Sequence, residues 1–216
     1  MIVDGPSLIL GSRSPRRREL LSLLVPSARM EVVVPVDDTE AGFDGLETME
    51  TILPRLAGIA RTKNEAVREQ LVQSEQKSGS WGAVLTADTV VIAQKTKSRS
   101  VVLGKPDGPD WQETTRNWFL DYYSERTHRV ATAVCLTTAD GSCRECRGLT
   151  EVDFGPVTAP LLDWYLATRE PLGKAGGYGL QGAAALFVTA VRGSPSNVIG
   201  LPLLETWQLL HAAQLC

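Results

Sequence analysis

No apolar run in the 216-residue chain approaches the ~18 residues that a membrane-spanning helix needs. Residues 1–10 carry Asp4 and Pro6 and lack the basic segment of a secretory signal, so none is expected. Positive charge is not in excess either. The 22 Lys and Arg stand against 25 Asp and Glu, a net charge of −3. That is the wrong sign for a chain whose main partner is a nucleic-acid backbone or an anionic membrane. Cysteine is scarce, with four residues. Cys143 and Cys146 form a C-x-x-C, but a zinc site wants a second pair or a spaced His pair, and only Cys135, Cys216, His128 and His211 remain. The turn-like Ala139 to Ser142 places the pair near an exposed loop tip, with metal or redox chemistry there the minor reading. Unpaired thiols suit a reducing compartment, and a cytoplasmic location is expected. No Gly-x-x-x-x-Gly-Lys-Ser/Thr occurs, which excludes a P-loop NTPase.

What is present is an ordinary globular composition, 43% hydrophobic and 22% charged. At roughly 100–200 residues per domain, one domain spanning residues 1–216 is expected, with room for two lobes. Short apolar strands over Leu8 to Leu10, Glu31 to Pro35, Ala83 to Ala93, Val101 to Leu103, Arg129 to Thr138, Leu149 to Phe154 and Leu186 to Val191 interleave with helical patterns. The helices read from Arg16 to Leu24, Arg55 to Gln76, Trp111 to Tyr123, Ala159 to Thr168 and Leu203 to His211. Interleaving of this kind defines the α/β class.

Four segments carry candidate chemistry. Gly11-Ser-Arg-Ser-Pro-Arg-Arg-Arg18 links a strand to a helix, with Ser14 as N-cap and Pro15 opening the helix. Arginines there oppose the helix dipole by about 0.3–1 kcal/mol each, unless an anion gathers them with the free backbone N–H groups. A solvated basic turn is the bland alternative. Asp88 interrupts the apolar run around Thr86-Ala-Asp-Thr-Val-Val91. It is either an edge acid facing water or a ligand or base that donors or a cation must meet. The acidic loop Asp37, Asp38 and Glu40 offers oxygen ligands to a hard cation, or is merely solvated. Lys63 follows the apolar face of its helix, and Lys105 and Lys174 lie on tight loops. Gly177-Tyr-Gly-Leu-Gln-Gly182 satisfies G-x-G-x-x-G, but it precedes a strand-like segment near the C-terminus and is not a dinucleotide fingerprint. Its glycines admit close approach of a ligand, with the Gln181 amide as donor and acceptor.

In their order along the chain these segments resemble the Maf family of nucleoside triphosphate pyrophosphatases. The resemblance rests on Leu8 to Leu21, Ile59 to Val67, Ala87 to Val91, Leu103 to Pro106, Thr127 to Val130, Thr150 to Phe154, Lys174 to Gly182 and Asn197 to Leu203. It implies a mixed twisted sheet with flanking helices and two lobes around a cleft, a fold like that of inosine triphosphatase. It implies hydrolysis of a nucleoside triphosphate to monophosphate and pyrophosphate with a divalent cation, Mg²⁺ or alternatively Mn²⁺ or Co²⁺. Asp88 matches the family's catalytic acid. Arg16, Thr89 and Gln181 match its specificity positions, and Lys63, Lys105 and Lys174 match cleft bases. Ser12 and Arg17 fall in its phosphate loop, and Asp88 with Asp38 in its metal site. Gln181 resembles the subgroup acting on dTTP and UTP, where the subgroup acting on methylated GTP bears Glu. Asp37-Asp38 departs from the usual Asp-Glu, and Gly11 replaces a common Ala, a change expected to be silent. A homodimer stays open, with neither nucleic acid nor membrane as partner. Two other readings also stay open. One is a non-catalytic nucleotide-sensing regulator linked to septum formation; the other is a nucleic-acid binder using Arg13 to Arg18.

Overall fold

The computed structural model describes residues 7–36, 42–73 and 81–216. Its strands are β1 (Ser7–Leu10), β2 (Met30–Val32), β3 (Trp81–Gln94), β4 (Ser100–Leu103), β5 (Thr127–Thr138), β6 (Cys143–Phe154) and β7 (Val188–Arg192). Its helices are α1 (Pro15–Ser22), α2 (Met49–Gln73), α3 (Trp111–Trp118), α4 (Ala159–Ala167), α5 (Pro195–Ile199) and α6 (Leu203–Ala212). The strands form one mixed seven-stranded sheet in the order β2-β1-β3-β5-β6-β7, with β4 also paired to β3. This is the mixed α/β sheet with flanking helices that the sequence predicts.

The long central strand β3 creates the opening in the sheet. On one edge it pairs with β5 from Ala83 to Ile92. On the other edge β1 pairs with it in parallel only as far as Leu85, and β4 pairs with it in antiparallel fashion only from Val91. Among the described residues no strand covers Thr86 to Val90 on that edge, so a crevice opens beside Asp88 and Thr89. It lies just beyond the C-terminal end of β1, where ligands of open α/β sheets commonly bind.

Period-two alternation then sorts the core. Val90 and Ile92 face α2, whose Ile52, Leu56 and Ala60 pack on them together with Ala131, Ala133 and Cys135. Leu85 and Ala87 face the other way and join Leu8, Leu10, Leu20, Leu21, Leu201 and Leu210 beneath α1 and α6. A third cluster, Phe119, Tyr123, Phe154, Tyr165, Tyr178 and Phe187, fills the end of the sheet near β4 and α4.

Several element boundaries differ from the sequence reading for local reasons. Helix α2 begins at Met49 rather than Arg55 and contains Pro54 in its second turn. Proline there removes one intrahelical N–H, but Ile52 and Leu56, both fully buried, hold the segment on the sheet. The helical pattern from Trp111 to Tyr123 divides into α3 and a π-turn, Phe119–Tyr123, which turns Phe119 and Tyr123 into the core. Strand β6 starts at Cys143, directly after the turn, so the C-x-x-C lies near the exposed loop tip as expected but on a strand. Residues three apart on a strand project to opposite faces, so Cys143 and Cys146 cannot act as a pair. The residues from Ala183 to Phe187 form a 3₁₀ turn before β7, and the short helix α5, capped by Ser194, was not anticipated.

The expectation that Gly11 is a silent replacement is overturned. A Cβ at that position would meet Thr86 Cγ2 at 2.6 Å and Val67 Cγ2 at 3.0 Å. The surrounding packing has closed onto the glycine, and both neighbours are β-branched and stiff. Gly11→Ala is expected to lower stability by about 1–3 kcal/mol, read as a drop in the denaturation midpoint at unchanged m-value.

Candidate active site

The crevice beside β3 is a cleft of about 510 Å³. Ser12, Arg16, Arg17, Lys63, Asp88, Thr89, Lys105, Lys174 and Gln181 all line it, so every expected site residue but one converges there from five separate segments. The exception, Asp38, lies outside the described residues, as do Asp37 and Glu40. Six cationic side chains line the cleft: Arg13, Arg16, Arg17, Lys63, Lys105 and Lys174. Among the described residues Asp88 is the one carboxylate of that lining. No thiol or imidazole is found among those lining residues.

Asp88 is 6% exposed, so it is not an edge acid standing in bulk solvent but faces the cleft. Its Oδ1 accepts a hydrogen bond of 2.6 Å from Lys63 Nζ, and the two side chains are 8% and 14% exposed. Lys63, although it follows the apolar face of its helix, thus brings its charge to the cleft. The pair is positioned by α2, which is fastened to the sheet by three buried bonds: Thr86 Oγ1 donates to the Ala60 carbonyl at 2.6 Å, and Asn64 Nδ2 donates to the Val84 carbonyl at 2.8 Å and to the Cys135 carbonyl at 3.2 Å.

Thr89 projects from the opposite face of β3 and meets Arg17. Arg17 donates from Nε to the Gly200 carbonyl at 2.9 Å, from Nη1 to Ser12 Oγ at 3.3 Å and from Nη2 to Thr89 Oγ1 at 2.9 Å. Thr132 Oγ1 lies 2.9 Å from Thr89 Oγ1 and donates to the Asn197 carbonyl at 3.1 Å. Each hydroxyl has a single proton, so the direction is fixed: Thr132 donates to Asn197, Thr89 donates to Thr132, and Arg17 donates to Thr89. Arg17 is thereby locked against the end of α5 and the sheet. Asn197 is fully buried, and its Nδ2 donates to the Val130 carbonyl at 2.9 Å and to Thr150 Oγ1 at 3.0 Å. It was not singled out from the sequence, although it stands within a stretch that carries the family resemblance.

The glycine-rich wall of the cleft is held from behind by three tyrosines. Tyr123 Oη donates to the Gly176 carbonyl at 2.9 Å, Tyr165 Oη donates to the Gly177 carbonyl at 3.0 Å, and Tyr178 Oη lies 2.7 Å from His128 Nε2. Gly176 has φ of +68°, and a Cβ on it would collide with the Tyr123 hydroxyl and Val91, so glycine is required on both counts. Burial pushes the His128 imidazole down to about 3, which leaves it neutral and structural. Glu170 is a second residue the sequence did not point to. Its carboxylate accepts from the Ala183 N–H at 2.6 Å, and its carbonyl accepts from Lys174 Nζ at 2.5 Å. Burial, opposed by Glu170 but helped by the nearby Arg16 charge, lowers the Lys174 pKa from its ordinary value. Arg16, Lys105 and Gln181 make no hydrogen bond or ion pair among the described residues, so these three present their polar groups to the cleft.

Away from the cleft, burial and the adjacent Cys143 push the Cys135 thiol up to about 12, and burial raises Cys146 to about 12. All four cysteines are free thiols.

The fold and site thus define an α/β protein with a sheet-edge cleft suited to a small polyanion. Among solved structures, that of a HAM1 protein from Coxiella burnetii has a TM-score of 0.51 at 16% identity, covering 97% of this chain and 98% of that one. That likeness concerns the fold. The Maf-like protein family model matches residues 7–213, and the chain belongs to this family. It is 39% identical over 212 residues to a dTTP/UTP pyrophosphatase of Anaeromyxobacter dehalogenans, covering 97% of this chain and 95% of that protein. It is 37% identical to a dTTP/UTP pyrophosphatase of Cupriavidus metallidurans, covering 96% and 97% respectively.

Proposed function

We propose that this chain hydrolyses nucleoside triphosphates, dTTP and UTP foremost, to the monophosphate and pyrophosphate, with residues 1–216 acting as one catalytic domain. The observation that carries the reading is the cleft itself, where six cations surround one carboxylate. That charge balance suits a triphosphate chain and a single general base. The activity named for the two relatives supports the same reading.

In this proposal Arg16, Lys105 and Lys174 meet the phosphates, together with the Ser12 hydroxyl and the backbone N–H groups that open α1. Arg17 spends three donors on the protein and is a positioning residue that sets the loop against Thr89. Lys63 holds Asp88 in place, and Asp88 orients a water and takes its proton for attack on the α-phosphorus. Gln181, exposed on the rim, reads the base. A divalent cation, with Mg²⁺ first and Mn²⁺ or Co²⁺ as alternatives, fits the donor set. Asp88 offers a hard carboxylate oxygen, substrate phosphates offer more, and no soft ligand competes within the lining. Bound there it would neutralise charge developing on the departing pyrophosphate. Asp38 as a second ligand belongs to the proposal alone. The setting proposed is cytoplasmic, and no helix among the described residues is long and apolar enough to cross a membrane.

The lowered Lys174 pKa gives a pH signature. A lysine with a depressed pKa loses its charge at lower pH than usual, so triphosphate affinity falls as pH rises through that value. The KM for dTTP is expected to climb on the alkaline side. Lys174→Arg should flatten that limb, because guanidinium keeps its charge.

The test of the activity is a panel of nucleoside triphosphates assayed with Mg²⁺ for pyrophosphate. Turnover of dTTP and UTP ahead of the purine nucleotides is expected. Binding without products would favour the nucleotide-sensing regulator. A steep loss of nucleic-acid binding with salt, in the absence of turnover, would favour the nucleic-acid reading.

A further inference from the structure

On the sheet face that packs beneath α2, outside the cleft lining, Cys135 pairs directly with Glu145 and Thr137 directly with Cys143. The two thiols therefore meet diagonally across the β5–β6 hairpin, with Sγ atoms 3.6 Å apart. A carboxylate oxygen of Glu145 joins them, and the three donor atoms lie within 4.8 Å of one another. Cys135 is fully buried, whereas Cys143 and Glu145 reach the surface.

We propose that Cys135, Cys143 and Glu145 form a binding site for a thiophilic divalent cation of the Zn²⁺ type, distinct in chemistry from the oxygen-lined cleft. The sulfur separation supports this. Two Zn–S bonds of ~2.3 Å at a tetrahedral angle place their sulfurs about 3.8 Å apart, close to the 3.6 Å found here. The backbone geometry disfavours the competing use of two neighbouring thiols. Diagonal partners in an antiparallel pair have Cα atoms ~7–8 Å apart, beyond the ~7 Å that a disulfide tolerates without backbone movement. A cation bridges that distance with the strands in place. The carboxylate is also braced: Arg61 Nε and Nη2 donate to its two oxygens at 2.7 and 3.0 Å, the outer support that ligating carboxylates commonly have. On binding, the cation displaces one proton from each thiol to solvent and joins both thiolates and Glu145, with no change of oxidation state. Solvent at the exposed side completes the fourth position. Since Arg61 belongs to α2, an occupied site would tie the hairpin to the helix that carries Lys63.

The test uses the whole protein, reduced and under anaerobic conditions, with saturating Mg²⁺ to occupy oxygen sites. Titration with Co²⁺ is expected to reach one equivalent with a thiolate-to-cobalt charge-transfer band and tetrahedral visible bands, both discharged by Zn²⁺. Cys143→Ser, at an exposed position, should abolish the charge-transfer band without altering the circular dichroism. Glu145→Gln should weaken binding by about 10–100-fold. The Cys146→Ser, Cys216→Ser double variant should bind as wild type does. Absence of the band in the reduced wild-type protein would overturn the proposal, as would its survival in Cys143→Ser or its loss in the double variant.

Discussion

Asp88→Asn is expected to reduce kcat for dTTP hydrolysis by about 10²–10⁴-fold, the range for loss of a general base. The substitution is close to isosteric, and an asparagine oxygen still accepts from Lys63 Nζ, which holds the carboxylate at 2.6 Å in the wild type. The ammonium loses its counter-charge but is 14% exposed and can draw on water. The fold is therefore expected to survive, with a modest shift in Tm, while the proposed general base is gone. KM should change less than kcat, because Arg16, Lys105 and Lys174 still meet the phosphates. A variant that folds normally and keeps wild-type turnover would remove Asp88 from the mechanism.

Gln181→Glu is expected to shift the preference between pyrimidine and guanine triphosphates by roughly 5–150-fold, corresponding to about 1–3 kcal/mol for a two-point base contact. In the proposed role the amide would pair its N–H with O4 and its carbonyl with N3–H of uracil or thymine. A carboxylate only accepts, so it faces O4 with a second acceptor and suits the donor edge of guanine instead. Gln181 is exposed and makes no hydrogen bond among the described residues, so stability should be unaffected and kcat/KM ratios report selectivity alone. Unchanged ratios would remove Gln181 from base recognition.

The residues whose roles depend on local pattern were legible in the sequence. Ser14 and Pro15 announce the start of α1, and the Ser14 side chain does accept from the Arg17 N–H. An acid within the apolar run of β3 needed a partner, and Lys63 supplies it. What joins distant segments was not legible. The Arg17–Thr89–Thr132–Asn197 chain runs through four elements, and its members are common residue types with no spacing to mark them. Glu170 sits at the end of a helix with nothing nearby in sequence to show that it holds the Ala183 N–H. The cysteines misled because proximity along the chain suggested Cys143 with Cys146, while strand alternation sends Cys143 to Cys135. Helix α2 starts six residues before the sequence pattern indicates, because the burial of Ile52 and Leu56 holds its first turns, Pro54 included, on the sheet. The convergence of six cations on one crevice depends on where β1 stops and β4 begins along β3, a matter of register that composition does not encode.

The central claim is attack of water on the α-phosphorus under the control of Asp88. Its most direct test is hydrolysis of dTTP in heavy-oxygen water, with the label located by mass spectrometry. The products expected are dTMP and pyrophosphate in equal amounts, with the label in dTMP and none in pyrophosphate. Label in pyrophosphate, or dTDP and orthophosphate as the products, would contradict the claim.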